Sequence, residues 1–518
     1  MSTTPTKTKD TSVSAMDVEI DEKALTPTRE NVYPVENDPY AFLDEEREFL
    51  PGDPLYIDPK EEAALVRKMD LYLAPIIMIV YTIAALDRGN IGNAAAAGMS
   101  TAIGLKGNEL SVCVSIYYVT YVLCEIPVSL AIRRFQPRIT VPTIMLVWAA
   151  IMIGSGFMKN YAGLIVTRLL IGLMEAGLFP FLTVYLSGFY KRRELSRRTA
   201  CLFLSLMFSG AVGGLLASAF LQMDGVGGKP GWQWLYIMEA VISVAIAIPV
   251  YFLLPNEAKT AWFLTPRQRE VFAIRELQRA QYMGGKVLTR PEFNRTFKDP
   301  KVYMSGWIQF TCDICLYGFS SFLPVIISGL GEGYTGVRAQ LLTVPVYAAA
   351  AVAYIITAYF MDRCETRLHF MIPAMLLNMV GYAVLLGVAE DKNNVKYAMT
   401  FLVAIGLYIA DGGNMTLLNI NHAPQMKRSV AVAFQQSMGN SGGIVAGQIY
   451  RTQDKPQYML GHGVSLGSMS CSLLGACVLF WWIRRTNMKR DRLTEEERRA
   501  WIDAGAIGDA HPDFRLKF

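Results

Sequence analysis

Apolar residues in this chain fall in long, nearly unbroken runs, separated by short polar or charged stretches. Twelve runs come close to the roughly 20 residues that cross the hydrocarbon core of a bilayer. They cover 69–92, 108–132, 138–157, 161–187, 199–222 and 232–254, then 302–327, 338–360, 369–388, 396–419, 428–450 and 462–484. The pattern predicts an all-α polytopic membrane protein, with twelve transmembrane helices in two six-helix halves. Residues 1–65 are polar and acidic and read as a disordered cytosolic tail. No signal-peptide-like apolar segment lies in that tail, so the first span itself is expected to direct insertion. The halves occupy 66–254 and 302–484, joined by a cytosolic linker at 255–301, and 485–518 form a cytosolic C-terminal tail. In the linker, Thr265-Pro-Arg-Gln-Arg-Glu270 is a helix-start pattern. In the tail, Leu493–Trp501 predicts a short surface helix.

Composition supports lipid burial: 52% of the 518 residues are hydrophobic and only 18% charged. The net charge of +5 is unevenly placed. Arg133, Arg134 and Arg138 follow the second run, and Lys191, Arg192, Arg193, Arg197 and Arg198 follow the fourth. Loops 93–107 and 223–231 are nearly uncharged. By the positive-inside rule both termini face the cytosol. These cations sit at membrane edges, which points to the lipid bilayer and away from nucleic acid. The eight cysteines imply no disulfide framework, and Cys312-x-x-Cys315 reads as small apolar helix positions before it reads as a metal or redox pair. No His/Asp metal cluster, Ser/His pair or phosphate loop lies at membrane depth, so neither an enzyme nor a cofactor is expected.

What changes the picture is charge inside the runs. Asp87 and Arg88 lie at the end of the first, and Arg168 and Glu175 lie within the fourth. A charge at mid-membrane costs at least ~2.5–3.5 kcal/mol, so such residues usually face an interior cavity. Arg88 presents a planar fork of donors suited to a carboxylate, and Asp87 is a candidate proton carrier. The competing reading has both ending a helix at the water interface. Arg168 and Glu175, seven residues apart, share a helix face at roughly 10 Å, too far to pair with each other. Each therefore needs a partner from another helix, either in a transport site or in a structural network. Tyr117 and Tyr121 in the second run, and Gln436 and Asn440 in the eleventh, are further candidates for a polar cavity lined from both halves. Asp313 with Tyr317, Asp411 with Asn414, and Tyr118 read more readily as helix–helix hydrogen bonds, and Glu125 as interfacial.

A weak repeat relates the halves. Ser129 is followed four, five and nine residues later by Arg133, Arg134 and Arg138, and Ala358 by Asp362, Arg363 and Arg367. From about 65 to 485 the chain resembles the major facilitator superfamily, whose cytosolic loop motif the second copy matches closely. In the first copy Arg133 replaces the usual aspartate. Leu86-Asp-Arg-Gly-Asn-Ile-Gly-Asn-Ala94 and Arg168-x-x-x-Gly-x-x-Glu-Ala-Gly177 resemble the anion:cation symporter branch, which includes the fungal allantoate permease group. Asp313–Pro324 and Gln340–Pro345 look most like nicotinate-permease-type members. The resemblance implies that Arg88 and Arg168 face a substrate anion and that Asp87 and Glu175 take part in proton coupling. It also implies a conformational role for Asp362, Arg363 and Arg367.

The expectation is a proton-coupled symporter that imports a small organic anion by alternating access. A proton gradient would drive it, a monomer would suffice, and the plasma membrane would house it. Efflux of a carboxylated metabolite is the nearest rival. Ser209-Gly-Ala-Val-Gly213-Gly214 keeps a glycine pair but lacks the proline of antiporter signatures. A non-transporting nutrient sensor is a third reading, for which the tails are short.

Overall fold

The computed structural model describes residues 51–518, apart from 133–134, 283–289, 335, 390–391, 424, 455–456 and 505–507. Among the described residues the secondary structure is helical throughout. The first half contains α1 (Pro59–Ala96), the one-turn α2 (Met99–Ala102), α3 (Glu109–Ile132), α4 (Pro137–Ser155), α5 (Tyr161–Glu175), α6 (Leu178–Phe189), α7 (Arg192–Leu221) and α8 (Gly231–Leu253). The linker carries α9 (Pro266–Tyr282) and α10 (Arg290–Phe297). The second half contains α11 (Pro300–Ser328), α12 (Gly336–Arg363), α13 (Leu368–Gly387), α14 (Asn393–Ile420), α15 (Gln425–Ile449) and α16 (Met459–Asp491), with α17 (Glu495–Asp503) beyond it.

The sequence accounts for the helix ends. Asp58 caps α1 by accepting from the Lys60 amide at 2.9 Å. Pro59 opens the helix, and Glu61 and Glu62 complement its positive end. The helix starts ahead of the boundary expected at 66, and α16 runs on past 484. The fourth predicted span is two helices, α5 and α6, broken at Ala176 and Gly177. The remainder of the predicted N-terminal tail, 1–50, and the repeat residues Arg133 and Arg134 lie outside the described residues.

Eleven stretches among the described residues are long and apolar enough to cross a membrane. The twelfth long helix, α15, falls short because its sequence carries Gln435, Gln436, Ser437, Asn440 and Ser441. Gln435, Gln436 and Asn440 are buried against other helices and away from the lipid-facing surface.

The two halves meet along α1 with α11, α3 with α15, and α7 with α12. The start of α1, the linker and the chain beyond α16 share one face, called here the near face. Arg275 of α9 pairs with Glu62 at 3.2 Å and with Glu194 at 2.6 Å. Asp509, beyond α17, pairs with Lys301 at 2.5 Å and with Lys427 at 2.7 Å. Toward the opposite, far face the halves touch closely through glycines. A Cβ on Gly92 would stand 2.0 Å from the Ser321 carbonyl oxygen, and one on Gly214 2.7 Å from that of Gln340. Ser115 donates to the Ile444 carbonyl at 2.8 Å, again toward the far face.

The predicted surface helix forms as α17, capped by Thr494 and Glu497. The chain beyond it, expected as a featureless tail, is folded back onto the near face of the second half. Asn421 exchanges two 2.8 Å hydrogen bonds with the Lys517 backbone, and Asn487 donates to the Leu516 carbonyl at 2.8 Å. The Phe518 ring packs on Phe480 with centroids 4.9 Å apart.

Candidate functional site

Arg88 stands where the halves meet. Its helix continues eight residues further, to Ala96, so Asp87 and Arg88 do not end it. The interfacial reading is thereby corrected: Asp87 is 1% exposed, and the Arg88 side chain 11%. The Arg88 guanidinium lies 3.6 Å from the Glu175 carboxylate and over the rings of Tyr121 and Tyr117, at 5.3 and 5.8 Å. Tyr117 donates its hydroxyl to Glu175 at 2.7 Å. Glu175 ends α5 just where the span breaks, and Gly172, one turn earlier, lets α5 approach the Tyr117 backbone. One carboxylate, one guanidinium and two tyrosines thus form a compact unit in the first half.

A second unit lies deeper in that half. Arg168 donates to the Tyr236 hydroxyl at 3.0 Å and does not join Arg88 at the cavity. Asn90 bonds Glu239. Asp87 faces Glu239 and Ser243, and its Oδ2 has no hydrogen-bond partner. The spacing argument that Arg168 and Glu175 must each find a partner on another helix holds, with Tyr236 and Tyr117 as those partners. Glu239 and Tyr236 escaped the sequence reading, although a carboxylate deep in the sixth run was itself a signal.

The second half contributes a matching polar wall. Gln309 bonds Asp411 and donates to Asp313 at 3.2 Å. Asn414 donates to Gln309 at 2.8 Å and accepts from Ser305 at 3.0 Å. Tyr317 donates to Asn440 at 2.7 Å. Asn440 in turn reaches Glu125 of the other half at 3.4 Å, with Ser437 at 3.3 Å. Glu125 is 3% exposed, so its expected interfacial place is corrected: it bridges α3 and α15.

Two cavities lie on the seam, and Arg88 lines both. One holds about 340 Å³ of atom-free space between Arg88 and Tyr121 on one side and Asp313, Asp411, Gln436 and Asn440 on the other. The other, about 690 Å³, extends from Arg88 and Asn93 toward Tyr317, Thr343 and Tyr347. Of the sequence candidates, Arg88, Tyr121, Gln436 and Asn440 therefore line a cavity. Tyr117, Glu175, Asp87 and Arg168 stand behind its wall. Asp362, Arg363 and Arg367 sit apart at the near face, where Arg367 pairs with Asp362 at 2.7 Å and Arg363 donates to Tyr359 at 3.2 Å. Cys312 and Cys315 face α16, against Ser472 at 3.4 Å and the Ser465 carbonyl at 3.2 Å.

The family pattern described as Major Facilitator Superfamily matches residues 77–447. An uncharacterized transporter of Schizosaccharomyces pombe is 45% identical over 462 residues, covering 89% of this chain and 91% of that one. The high-affinity nicotinic acid transporter of Saccharomyces cerevisiae is 32% identical over 472 residues, covering 90% and 87%. In overall shape the chain is similar to a bacterial homolog of the human lysosomal transporter Spinster. The TM-score is 0.61 at 12% identity, over 82% of this chain and 96% of that one. That last likeness speaks for the fold alone.

Proposed function

The chain belongs to the Major Facilitator Superfamily, and from that premise we propose that it is a proton-coupled importer of a small organic anion. The observation that carries this reading is the Arg88–Glu175 pair, with Arg88 on the cavity wall and Glu175 behind it, 3.6 Å apart and closed in by Tyr117 and Tyr121. A substrate carboxylate entering the cavity competes with Glu175 for the guanidinium. A proton taken up by Glu175 frees Arg88 for the substrate, and with both bound no charge is left unpaired in a buried place. The charge on the moving unit is the same with Glu175 ionised and the site empty as with Glu175 protonated and an anion bound. That equality lets both forms change face, whereas an anion alone or a proton alone would not be carried. Asp87, next to Glu239, is a second carboxyl through which a proton can pass.

The relative named for nicotinic acid supports a monocarboxylate of vitamin or nutrient type as the cargo. The basic residues of the near face, with Lys191, Arg198, Arg275 and Lys301 among them, support a cytosolic near face. The plasma membrane is the proposed location, and one chain suffices as the working unit.

Uptake of radiolabelled nicotinate and other carboxylates into cells expressing the wild type or Glu175→Gln tests this. Wild-type uptake is expected to collapse when the proton gradient is dissipated. Glu175→Gln, neutral at every pH, is expected to lose gradient-driven accumulation while keeping exchange of substrate across the membrane. No accumulation of any anion, with faster loss from preloaded cells, would overturn import in favour of efflux.

A further inference from the structure

The cavity at the seam has two chemically opposite walls, and anion binding at Arg88 uses only one. On the other, Asp313 and Asp411 project from neighbouring helices α11 and α14 onto the same cavity. Gln309 fixes both through its amide nitrogen. Asp411 is 1% exposed, and its Oδ2 has no hydrogen-bond partner although the residue lines the cavity. Gln436, on the same wall, has an amide nitrogen that is likewise without a partner. Unpaired buried polar atoms are costly, and several around one cavity mark a place where a ligand completes the bonding.

We propose that Asp313 and Asp411 form a second subsite that takes a basic nitrogen of the substrate. The cargo is then a small carboxylate with a basic nitrogen at its opposite end, held between Arg88 and the acid pair. This deepens the anion reading above and rests on it. A protonated ring nitrogen donates to the unpartnered Asp411 oxygen, and a neutral one accepts from the unpartnered Gln436 amide nitrogen. The pair also explains selectivity: an acid of the same shape lacking the nitrogen leaves Asp411 and Gln436 without partners, and such sites reject the incomplete analogue strongly.

Equilibrium binding to the purified full-length protein tests the assignment, with nicotinate, isonicotinate, benzoate and nicotinamide as probes. The wild type is expected to bind at least one pyridine carboxylate about tenfold or more tighter than benzoate. Asp411→Asn and Asp313→Asn are expected to shrink that ratio toward one by weakening the pyridine acid alone. Equal affinity for benzoate and both pyridine acids in the wild type, or no binding of either pyridine acid, would overturn the proposal without any variant. So would a ratio unchanged in both variants, including the case where the variants lose only the proton dependence of uptake, which would make the pair a proton site. The anion reading fails separately, if Arg88→Gln leaves all affinities unchanged or nicotinamide binds as well as nicotinate.

Discussion

Arg88 is held from three sides, by Glu175 at 3.6 Å and by the faces of Tyr117 and Tyr121. A lysine keeps the charge but loses the planar fork and most of the stacking, each ring contact being worth about 0.5–2 kcal/mol. Arg88→Lys is therefore expected to lower uptake at least about tenfold at normal expression, read as a change in initial rate at limiting substrate. Gly92 makes a different kind of demand. An added methyl would stand 2.0 Å from the Ser321 carbonyl oxygen, which is backbone and cannot swing aside. Gly92→Ala is expected to fold yet fail to bring the halves together at the far face, losing uptake, while Gly154→Ala, which meets nothing within 4 Å, keeps it. Reagent labelling of a cysteine at Asn93 from the far face would report the difference. Much of this was legible in the sequence. A charge inside an apolar run is expensive, so Asp87, Arg88, Arg168 and Glu175 stood out. Which of them reaches the cavity was not legible, because Tyr236 and Tyr117 come from other spans and no spacing along one helix encodes that meeting. Asp313, Asp411 and Glu125 were visible as polar residues, but only the packing of α11, α14, α3 and α15 distinguishes a cavity wall from an ordinary helix contact.

Among the elements, the segment after α17 departs furthest from what its sequence indicated. Its polar, Pro- and Asp-containing composition reads as tail, yet residues 508–518 fasten the near-face ends of α11, α13, α14 and α16. Lys301, buried, and Lys427, half-buried, stand there with Asp299 and Asp509 between them. Asp509→Ala leaves two ammoniums facing one carboxylate and is expected to destabilise the second half by about 3–5 kcal/mol. A lowered thermal unfolding midpoint in detergent would register it. The same cluster responds to acid. Burial, reinforced by the Lys301 ammonium, pushes the His422 imidazole down to about 4 despite the Asp299 carboxylate nearby. Burial acts to raise Asp299, but Lys301 and Lys427 outweigh it and hold that carboxyl below its usual range. Both groups bind fewer protons folded than unfolded. Their contribution is present near neutrality and is lost as pH falls, for His422 from about 6.5 toward about 4. Unfolding midpoints measured between pH 7 and 4 are expected to fall with acid, and His422→Gln is expected to flatten that fall. The break between α5 and α6 was equally hidden, because Ala176 and Gly177 lie inside an otherwise continuous apolar run.

The molecule as a whole consists of two six-helix bodies joined by a linker whose parts are divided between them. Helix α9 is tied to the first half through Arg275 and Gln278, and α10 lies on α15 of the second, with Phe297 against Phe434. The two-body plan was legible because twelve runs and a basic gap encode it directly, whereas the face at which the halves close was not. It depends on Gly92, Gly214 and Gly447, whose role is evident only beside Ser321, Gln340 and Ser115. The polarity of α15 has a consequence for how the protein is made. A helix carrying Gln435, Gln436 and Asn440 has little reason to leave the translocon for lipid by itself, since the Gln435 and Asn440 amides find their partners on α11, α14 and α3. Biogenesis should therefore hold this segment back until its neighbours have been synthesised and can receive it. In a glycosylation-mapping assay, α15 placed alone in a host sequence is expected to integrate poorly, and to integrate well when α11–α14 precede it.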